Sequence, residues 1–221
     1  LSYRAQLKGW QFKYLQHVET PAELPMVMSA ARSQQFRWNK GAAENFQKNY
    51  GQLFRSKKLS WTTKFHGFFH LLNSSMFFLV LIIAVLSVPL LYIKNQFPEY
   101  NFYFYVMAFL GISTLIFFVA YFITFSKIHE KEKMNFLKFV RMFFAFFSIA
   151  MGLSVHNTWA ILEGHFGKKS SFIRTPKFNI THLNDSWREN QYLKKSFSFT
   201  QLLELGLFFY LAFAIYSAFK V

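Results

Sequence analysis

The chain has 221 residues, a formal net charge of +15 and no cysteine, and 32 of its residues are phenylalanine. The lack of cysteine excludes a disulfide framework and a thiolate metal site. Cations are concentrated in residues 1–65 and 164–200, where they flank long apolar stretches. Basic loops beside apolar spans are typical of cytoplasmic retention, so we expect contacts with membrane lipids and no nucleic-acid partner.

The first residues predict two short elements. Residues 1–8 have the pattern of an amphipathic helical turn, which Gly9 can close in the left-handed conformation. Trp10, Phe12 and Tyr14 then alternate with polar residues, and this period predicts a half-buried strand.

A longer helix comes after two prolines. Pro21 and Pro25 interrupt the chain before a helical pattern that covers about residues 26–50. Residues 55–65 are a second basic stretch, which is expected to lie along the membrane surface.

Three stretches are candidate membrane spans. Residues 76–93 and 102–125 contain no charged side chain, and each is close to or above the ~20 residues that cross the hydrocarbon layer. Residues 205–219 are a third, slightly short candidate. If the basic N-terminal part lies inside, the first span runs outward and the second returns. The next cations along the chain then lie inside as well: Lys127, Lys131, Lys133, Lys138 and Arg141.

The stretch 142–155 is apolar but short, with basic residues on both sides. A run of about 10–14 apolar residues is more typical of an interfacial or protein-buried helix than of a crossing. We therefore interpret 138–163 as one long helix in the cytoplasmic interface. The alternative is a true crossing, which would place the cations of 164–200 outside.

A five-residue motif in the first helical pattern indicates a phosphate and sugar site: Gln34, Gln35, Phe36, Arg37 and Trp38. The guanidinium of Arg37 offers a rigid fork of donors to phosphate oxygens. The indole of Trp38 suits either a sugar face or the boundary between water and lipid. The alternative interpretation is an interfacial helix with ordinary Arg and Trp anchors.

A second motif lies in the basic stretch 164–200: Phe172, Ile173, Arg174, Thr175, Pro176 and Lys177. The hydroxyl of Thr175 and the cation of Lys177 could both contact phosphate on a loop that closes over it. The alternative is a basic juxtamembrane loop that contacts anionic lipid.

Both motifs resemble signatures of the family 2 membrane glycosyltransferases, the cellulose synthase-like group. The first resembles the Q-Q/R-x-R-W signature, and the second resembles the F-x-V-T-x-K gating loop, although Arg174 stands where Val is usual. The resemblance implies that Trp38 contacts the acceptor sugar. It also implies a set of side chains around the donor diphosphate: Gln34, Gln35, Arg37, Thr175 and Lys177.

The resemblance further implies an inverting transfer from a UDP- or GDP-sugar to a glycan or lipid acceptor. The opening residues resemble the segment just after the T/S-E-D motif of the family, so the catalytic Asp and the D-x-D that binds a divalent cation (Mg or Mn) are expected upstream. The chain by itself is then expected to be inactive and to bind no metal.

The expected fold is an all-α membrane protein with interfacial amphipathic helices, about three transmembrane helices and a short remnant of an α/β (GT-A type) domain. The expected location is the cytoplasmic or inner membrane, with the N-terminal part and the gating loop on the cytoplasmic side. The expected parts are the catalytic remnant (1–25), interfacial helices (26–65), a transmembrane pair (66–126), a cytoplasmic turn with an interfacial helix (127–163), the gating-loop region (164–199) and a transmembrane helix (200–221).

Some features carry no assigned chemistry. His156, Asn157 and Glu163 also look familiar from this group, but their pattern is equally that of polar helix-end residues turned toward protein. His66 and His70 share a helical face without a third ligand, so no metal site is expected there.

The alternative function is a non-enzymatic membrane anchor or channel subunit with basic lipid-binding loops.

Overall fold

The computed structural model describes residues 2–15, 17–22, 24–25, 27–109, 111–129, 135–171 and 197–220. These residues form helices and no strand. They divide into a first unit, Leu1–Leu79 with Val155–Leu202, and a second unit, Val80–Ser154 with Leu203–Val221. The helices are α1 (Ser2–Leu7), α2 (Met28–Arg55), α3 (Trp61–Leu72), α4 (Met76–Gln96), α5 (Asn101–Phe109), α6 (Ile112–Ile128), α7 (Phe136–Gly152), α8 (Ser154–His165) and α9 (Phe199–Ala218).

The predicted glycine cap of α1 is confirmed. Gly9 has a φ of +97°, which a residue without a Cβ adopts without strain. Its N–H donates to the carbonyl of Gln6 at 2.9 Å, and the N–H of Trp10 donates to the carbonyl of Ala5 at 3.1 Å. This pair of bonds satisfies carbonyls that the end of a helix would otherwise leave unpaired.

The strand predicted from the alternation of Trp10, Phe12 and Tyr14 is wrong. All three residues lie outside helices and strands, and their side chains are largely exposed. A strand needs a neighbour that completes its hydrogen-bond ladder, and none of the described segments provides one. The α/β remnant in residues 1–25 stays a prediction.

Within the first unit, α2 and α3 pack through aromatic side chains. Phe68 of α3 contacts Phe46 and Phe54 of α2 edge to face, with ring centroids 5.8 and 5.6 Å apart. Gly67 allows the close approach, since a Cβ there would lie 3.0 Å from a methyl group of Leu53. This packing holds one side of α2 and leaves its other faces for further contacts.

The prediction of three candidate membrane spans is confirmed among the described residues. Trp61–Gln96, Pro98–Ile128 and Phe199–Ala218 are long and apolar enough to cross a membrane. The first is longer than predicted because it includes α3. At most 6 % of each apolar window is buried inside the protein, so these side chains are available to contact lipid. The pair α7 and α8 passes the same test only when both helices are taken together.

In the second unit, a proline in α4 is compensated by a neighbouring helix. Pro89 has no N–H, so the carbonyl of Val85, four residues earlier, loses its helical donor. The hydroxyl of Tyr210 from α9 donates to that carbonyl instead. One turn further on, the hydroxyl of Tyr92 donates to Ser217 at 3.2 Å. Backbone groups in hydrocarbon must find such partners within the protein.

The helix predicted as continuous over 138–163 is two helices. α7 ends at Gly152 and α8 begins at Ser154. Glycine is a weak helix former, and it lies here where an apolar sequence gives way to a polar one. α7 packs on α6 through phenylalanines, with centroids 5.1 Å apart for Phe118 and Phe139.

Candidate functional site

The motif residues lie in the first half of α2, and one helical turn distributes them around the helix axis. At about 100° per residue, Gln34 and Trp38 lie on the face opposite Phe36, while Gln35 and Arg37 flank it. Trp38 is 58 % exposed, and the other four residues are half-buried. The helix therefore presents the indole outward beside a guanidinium and two amides.

Phe36 and Arg32 fix this orientation by packing α2 against α8. The ring of Phe36 lies 5.5 Å from that of His156. Nη2 of Arg32 lies 3.2 Å from Nδ1 of His156, and the carbonyl of Arg32 lies 3.0 Å from Nε2. A guanidinium only donates and a carbonyl only accepts, so this geometry assigns His156 as a neutral ring with its proton on Nε2.

Arg32 also contacts the start of α9. Its Nη2 donates to Oγ1 of Thr200 at 3.2 Å. Ser198 precedes this helix, and its N–H donates to Oε1 of Gln201 at 2.7 Å. One basic residue before the motif thus joins α2 to both α8 and α9.

A basic residue after the motif makes a second set of contacts. The side chain of Lys40 is only 7 % exposed, and its Nζ lies 3.2 Å from Oε2 of Glu163 and 2.8 Å from Oγ of Ser170. A buried ammonium is costly unless a counter-charge and hydrogen bonds surround it. Glu163 supplies the charge, and Ser170 supplies a further acceptor.

The carboxylate of Glu163 is shared. Its Oε1 accepts from Nζ of Lys168 at 2.7 Å and from Nε1 of Trp159 at 3.1 Å. Burial by itself would raise the pKa of Glu163, but the hydrogen bonds and charges of Lys168 and Lys40 outweigh it and lower that pKa from the ordinary 4.5. We refer to Lys40, Glu163, Lys168 and Ser170 as the clip.

The lowered pKa predicts an acid-sensitive contact. A carboxyl of lowered pKa stabilises the folded state fully above its ordinary value, and this contribution is lost as pH falls through the lowered value. We expect the clip to weaken below pH 4.5. The indole N–H signal of Trp159 in NMR spectra should report this change. Glu163→Gln cannot titrate and is the control: an equal acid response in that variant would contradict the prediction.

Gly164 allows the close approach of α8 to α2. A Cβ on Gly164 would lie 2.6 Å from the carbonyl oxygen of Lys40 and 2.8 Å from Cβ of Ala43. Both distances are shorter than real contacts of this kind. Only glycine therefore fits at this position without moving one of the two helices.

His165 lies at the end of the contact between α2 and α8. Nδ1 of His165 lies 2.9 Å from Nε2 of Gln47, and burial lowers the pKa of His165. From Arg32–His156 through Lys40–Glu163 to Gln47–His165, residue numbers rise together on both helices. α2 and α8 therefore run in the same direction along their contact.

The structure places the two sequence motifs differently. The second motif, residues 172–177, lies outside the described residues. The described residues on either side of the stretch 172–196 both contact α2. Ser170 bonds Lys40, which lies two residues after Trp38, and Thr200 bonds Arg32, which lies two residues before Gln34.

Sequence reasoning missed the residues that hold this arrangement. From composition alone, Arg32 and Lys40 are interpreted only as surface charges. Glu163 lies outside both motifs, so no chemistry is assigned to it. A signal is nevertheless present: Arg32, Phe36 and Lys40 recur every four residues, so they share one helical face. Two cations on the face of an aromatic that packs inward indicate buried, paired charges.

The described residues contain no group of three or more His, Asp or Glu side chains that could hold a metal ion. Among these described residues, none is therefore assigned to the divalent cation that the family resemblance implies.

Comparison with known proteins gives partial matches to plant enzymes. Over 66 residues the chain is 44 % identical to glucomannan 4-beta-mannosyltransferase 1 of Oryza sativa subsp. japonica. This matched stretch is 30 % of the chain and 13 % of the relative. Over 92 residues it is 38 % identical to probable glucomannan 4-beta-mannosyltransferase 4 of the same plant, covering 42 % and 16 %. Over 84 residues it is 38 % identical to glucomannan 4-beta-mannosyltransferase 7 of Arabidopsis thaliana, covering 38 % and 14 %.

No known family profile and no solved structure matches the chain. Each match spans less than a fifth of the relative's length. These relatives are glycosyltransferases by name, and three helices in the described part of the chain are long and apolar enough to span a membrane. The similarity confirms the resemblance that the motifs indicated, to the cellulose synthase-like group of family 2 membrane glycosyltransferases.

Proposed function

We propose that the chain is the C-terminal membrane half of an inverting glycosyltransferase, which transfers a sugar from a nucleotide sugar to a polysaccharide or lipid acceptor. Residues 1–25 would end its catalytic domain, and the Mg or Mn ion would be held outside this chain. The N-terminal part and residues 164–199 would lie on the cytoplasmic side, where the nucleotide sugar is available.

The proposed roles depend on the faces of α2. Arg37, with Gln34 and Gln35, donates to the oxygens of the donor diphosphate. Trp38 offers its exposed indole to the apolar C–H side of the acceptor sugar. Thr175 and Lys177 join the diphosphate site on the strength of the family resemblance.

The proposed reaction is an in-line displacement at the anomeric carbon. A base of the longer protein takes the proton of an acceptor hydroxyl, and the hydroxyl oxygen forms the new glycosidic bond. The bond from the anomeric carbon to the diphosphate breaks, and the nucleoside diphosphate leaves with the electron pair. Arg37 would stabilise the negative charge that develops on this leaving group.

One observation carries the proposal. The chain segments on both sides of residues 172–196 are fastened to α2 by Lys40 and Arg32, one on each side of the first motif. The described residues Ser170 and Thr200, which flank this stretch, therefore both contact the helix that carries the first motif. This supports the idea that both motifs serve one diphosphate.

The names of the relatives suggest which sugar to test first. They are described as glucomannan 4-beta-mannosyltransferases. We therefore propose a nucleotide-activated mannose as the donor and a β-1,4-linked mannan or glucomannan as the acceptor.

The test is sugar transfer by the full-length protein in membrane vesicles. Arg37→Ala is expected to lower kcat about 100-fold, the loss seen when one group that stabilises developing charge is removed. Trp38→Ala is expected to raise the KM for the acceptor more than it lowers kcat, because it removes a stacking surface.

Two matched control variants replace an arginine and a tryptophan outside the motif. Arg55→Ala removes an exposed arginine from the end of the same helix, and Trp61→Ala removes a tryptophan that is 76 % exposed on α3. Both should transfer sugar at the normal rate. Normal activity in Arg37→Ala and Trp38→Ala would overturn the site, and a full-length protein without transferase activity would favour the anchor or channel alternative.

A further inference from the structure

A polar cleft of about 590 Å³ lies between α1 and the middle of α2. Sites that bind small molecules commonly enclose about 300–1,000 Å³, so its size is sufficient for a ligand. The motif helix forms its floor, and the first turn of α1 forms one wall. Its lining includes six residues of mixed polarity and charge: Arg4, Gly41, Glu44, Asn45, Lys48 and Asn49.

One side chain in this cleft is incompletely paired. Asn49 is only 4 % exposed, and its Nδ2 donates to the carbonyl and to Oδ1 of Asn45 at 2.9 and 2.6 Å. Its Oδ1 has no hydrogen-bond partner, although it is buried. A buried acceptor without a donor is costly, so this oxygen indicates a ligand that brings a donor.

The cleft continues the face of α2 that carries the exposed indole. Trp38, Gly41, Asn45 and Asn49 succeed one another at steps of three or four residues, so they lie along one side of the helix. Gly41 has open space where a Cβ would point. A chain of sugars that contacts Trp38 could therefore extend over Gly41 to the two asparagines without a side chain in its way.

The chemistry of the lining favours hydroxyl groups over phosphate. Asn45, Asn49 and Glu44 supply acceptors, while Arg4 and Lys48 supply donors. Lys48 is already paired with Glu44 at 3.2 Å. Phosphate oxygens are acceptors and cannot satisfy the oxygen of Asn49, whereas each sugar hydroxyl can donate and accept.

We propose that this cleft is a glycan-binding subsite that holds sugar units of the acceptor beyond the one at Trp38. The proposal rests on the proposed transferase function for the identity of the glycan. The cleft binds hydroxyls through amide and carboxylate oxygens, and the open surface at Gly41 lets the sugar rings pass along α2.

The test measures binding to the 221-residue chain in lipid nanodiscs by saturation-transfer NMR and calorimetry, with β-1,4-mannotetraose as the probe. Gly41→Leu fills the cleft without touching another atom at its Cβ, and it is expected to weaken binding at least tenfold. Asn45→Ala, which removes polar partners in the cleft, is expected to weaken it several-fold.

Gly51→Leu is the matched control, because it places the same side chain at an open glycine of the same helix outside the cleft. It should bind the tetrasaccharide like the parent chain. Thermal unfolding checks that all three variants remain folded. Equal affinity in Gly41→Leu and Gly51→Leu, no binding by the parent chain, or displacement of the tetrasaccharide by inorganic phosphate would overturn the proposal.

Failure of this proposal can be distinguished from failure of the proposed function. If full-length Arg37→Ala loses transfer while Gly41→Leu leaves both tetrasaccharide binding and the acceptor KM unchanged, only the subsite is wrong. If the tetrasaccharide binds in the cleft but the full-length protein transfers no sugar, the subsite stands as a glycan site and the transferase function is wrong.

Discussion

Replacement of Glu163 by leucine is expected to lower the free energy of unfolding by about 3–5 kcal/mol, the usual cost of leaving one charge of a buried pair without its partner. Lys40 is 7 % exposed and Glu163 is 12 % exposed, so water cannot take over the role of the missing carboxylate. The hydroxyl of Ser170 would still accept from the ammonium, but it carries no counter-charge. We expect the melting temperature of the chain in nanodiscs to fall on the order of 10 °C.

A double variant separates the charge from the packing. Lys40→Met together with Glu163→Leu removes both charges and keeps apolar volume, and such replacements of buried pairs are often neutral. The double variant should therefore recover most of the stability that the single variant loses. The cycle is measured by thermal unfolding of the chain, the two single variants and the double variant.

The matched control is the ion pair within α2. Lys48 and Glu44 lie 3.2 Å apart, but their side chains are 60 % and 38 % exposed. An exposed pair four residues apart on a helix contributes only about 0.3–0.5 kcal/mol. Glu44→Leu should thus change the melting temperature little. Equal losses in Glu163→Leu and Glu44→Leu would show that the clip does not bury its charges.

The sequence was sufficient for features that depend on neighbouring residues. The three spans are evident from runs of apolar residues, and the cap at Gly9 is evident from one residue without a Cβ. The helix that carries Gln34 to Trp38 is evident from its periodicity. In each case the decisive interaction lies within a few residues along the chain. The local sequence pattern is therefore sufficient to predict the structure there.

The contacts that position the site could not be predicted in this way. Lys40 and Glu163 are 123 residues apart, and nothing local distinguishes them from solvated charges. The strand at Trp10 failed for the same reason, since alternation specifies a strand only when a second one lies beside it. The break at Leu153 depends on which part of the predicted helix packs on α2, and only the three-dimensional structure shows that.

Gly164→Ala is the second variant with a large expected effect, because a single methyl group would collide with backbone. The added Cβ would lie 2.6 Å from the carbonyl oxygen of Lys40 and 2.8 Å from Cβ of Ala43. A helix backbone cannot move aside as a flexible side chain can, so α8 must shift away from α2. Overpacking of this kind costs typically about 1–3 kcal/mol, and separation would also weaken the clip, so we expect a loss of about 3 kcal/mol or more.

Two further variants test this explanation against a general effect of alanine. Gly51→Ala is made on α2, where nothing lies within 4 Å of the new Cβ, and it should stabilise the chain by about 0.5–1 kcal/mol because alanine favours helix. Ala43→Gly in the Gly164→Ala background removes one of the two collisions and leaves that with the Lys40 carbonyl, so recovery should be partial. Unfolding of Gly164→Ala at the parent temperature would mean that α2 and α8 are not in close contact.

Because the same contact holds Phe36 and orients Trp38, full-length Gly164→Ala should also lose sugar transfer, and Gly51→Ala should retain it.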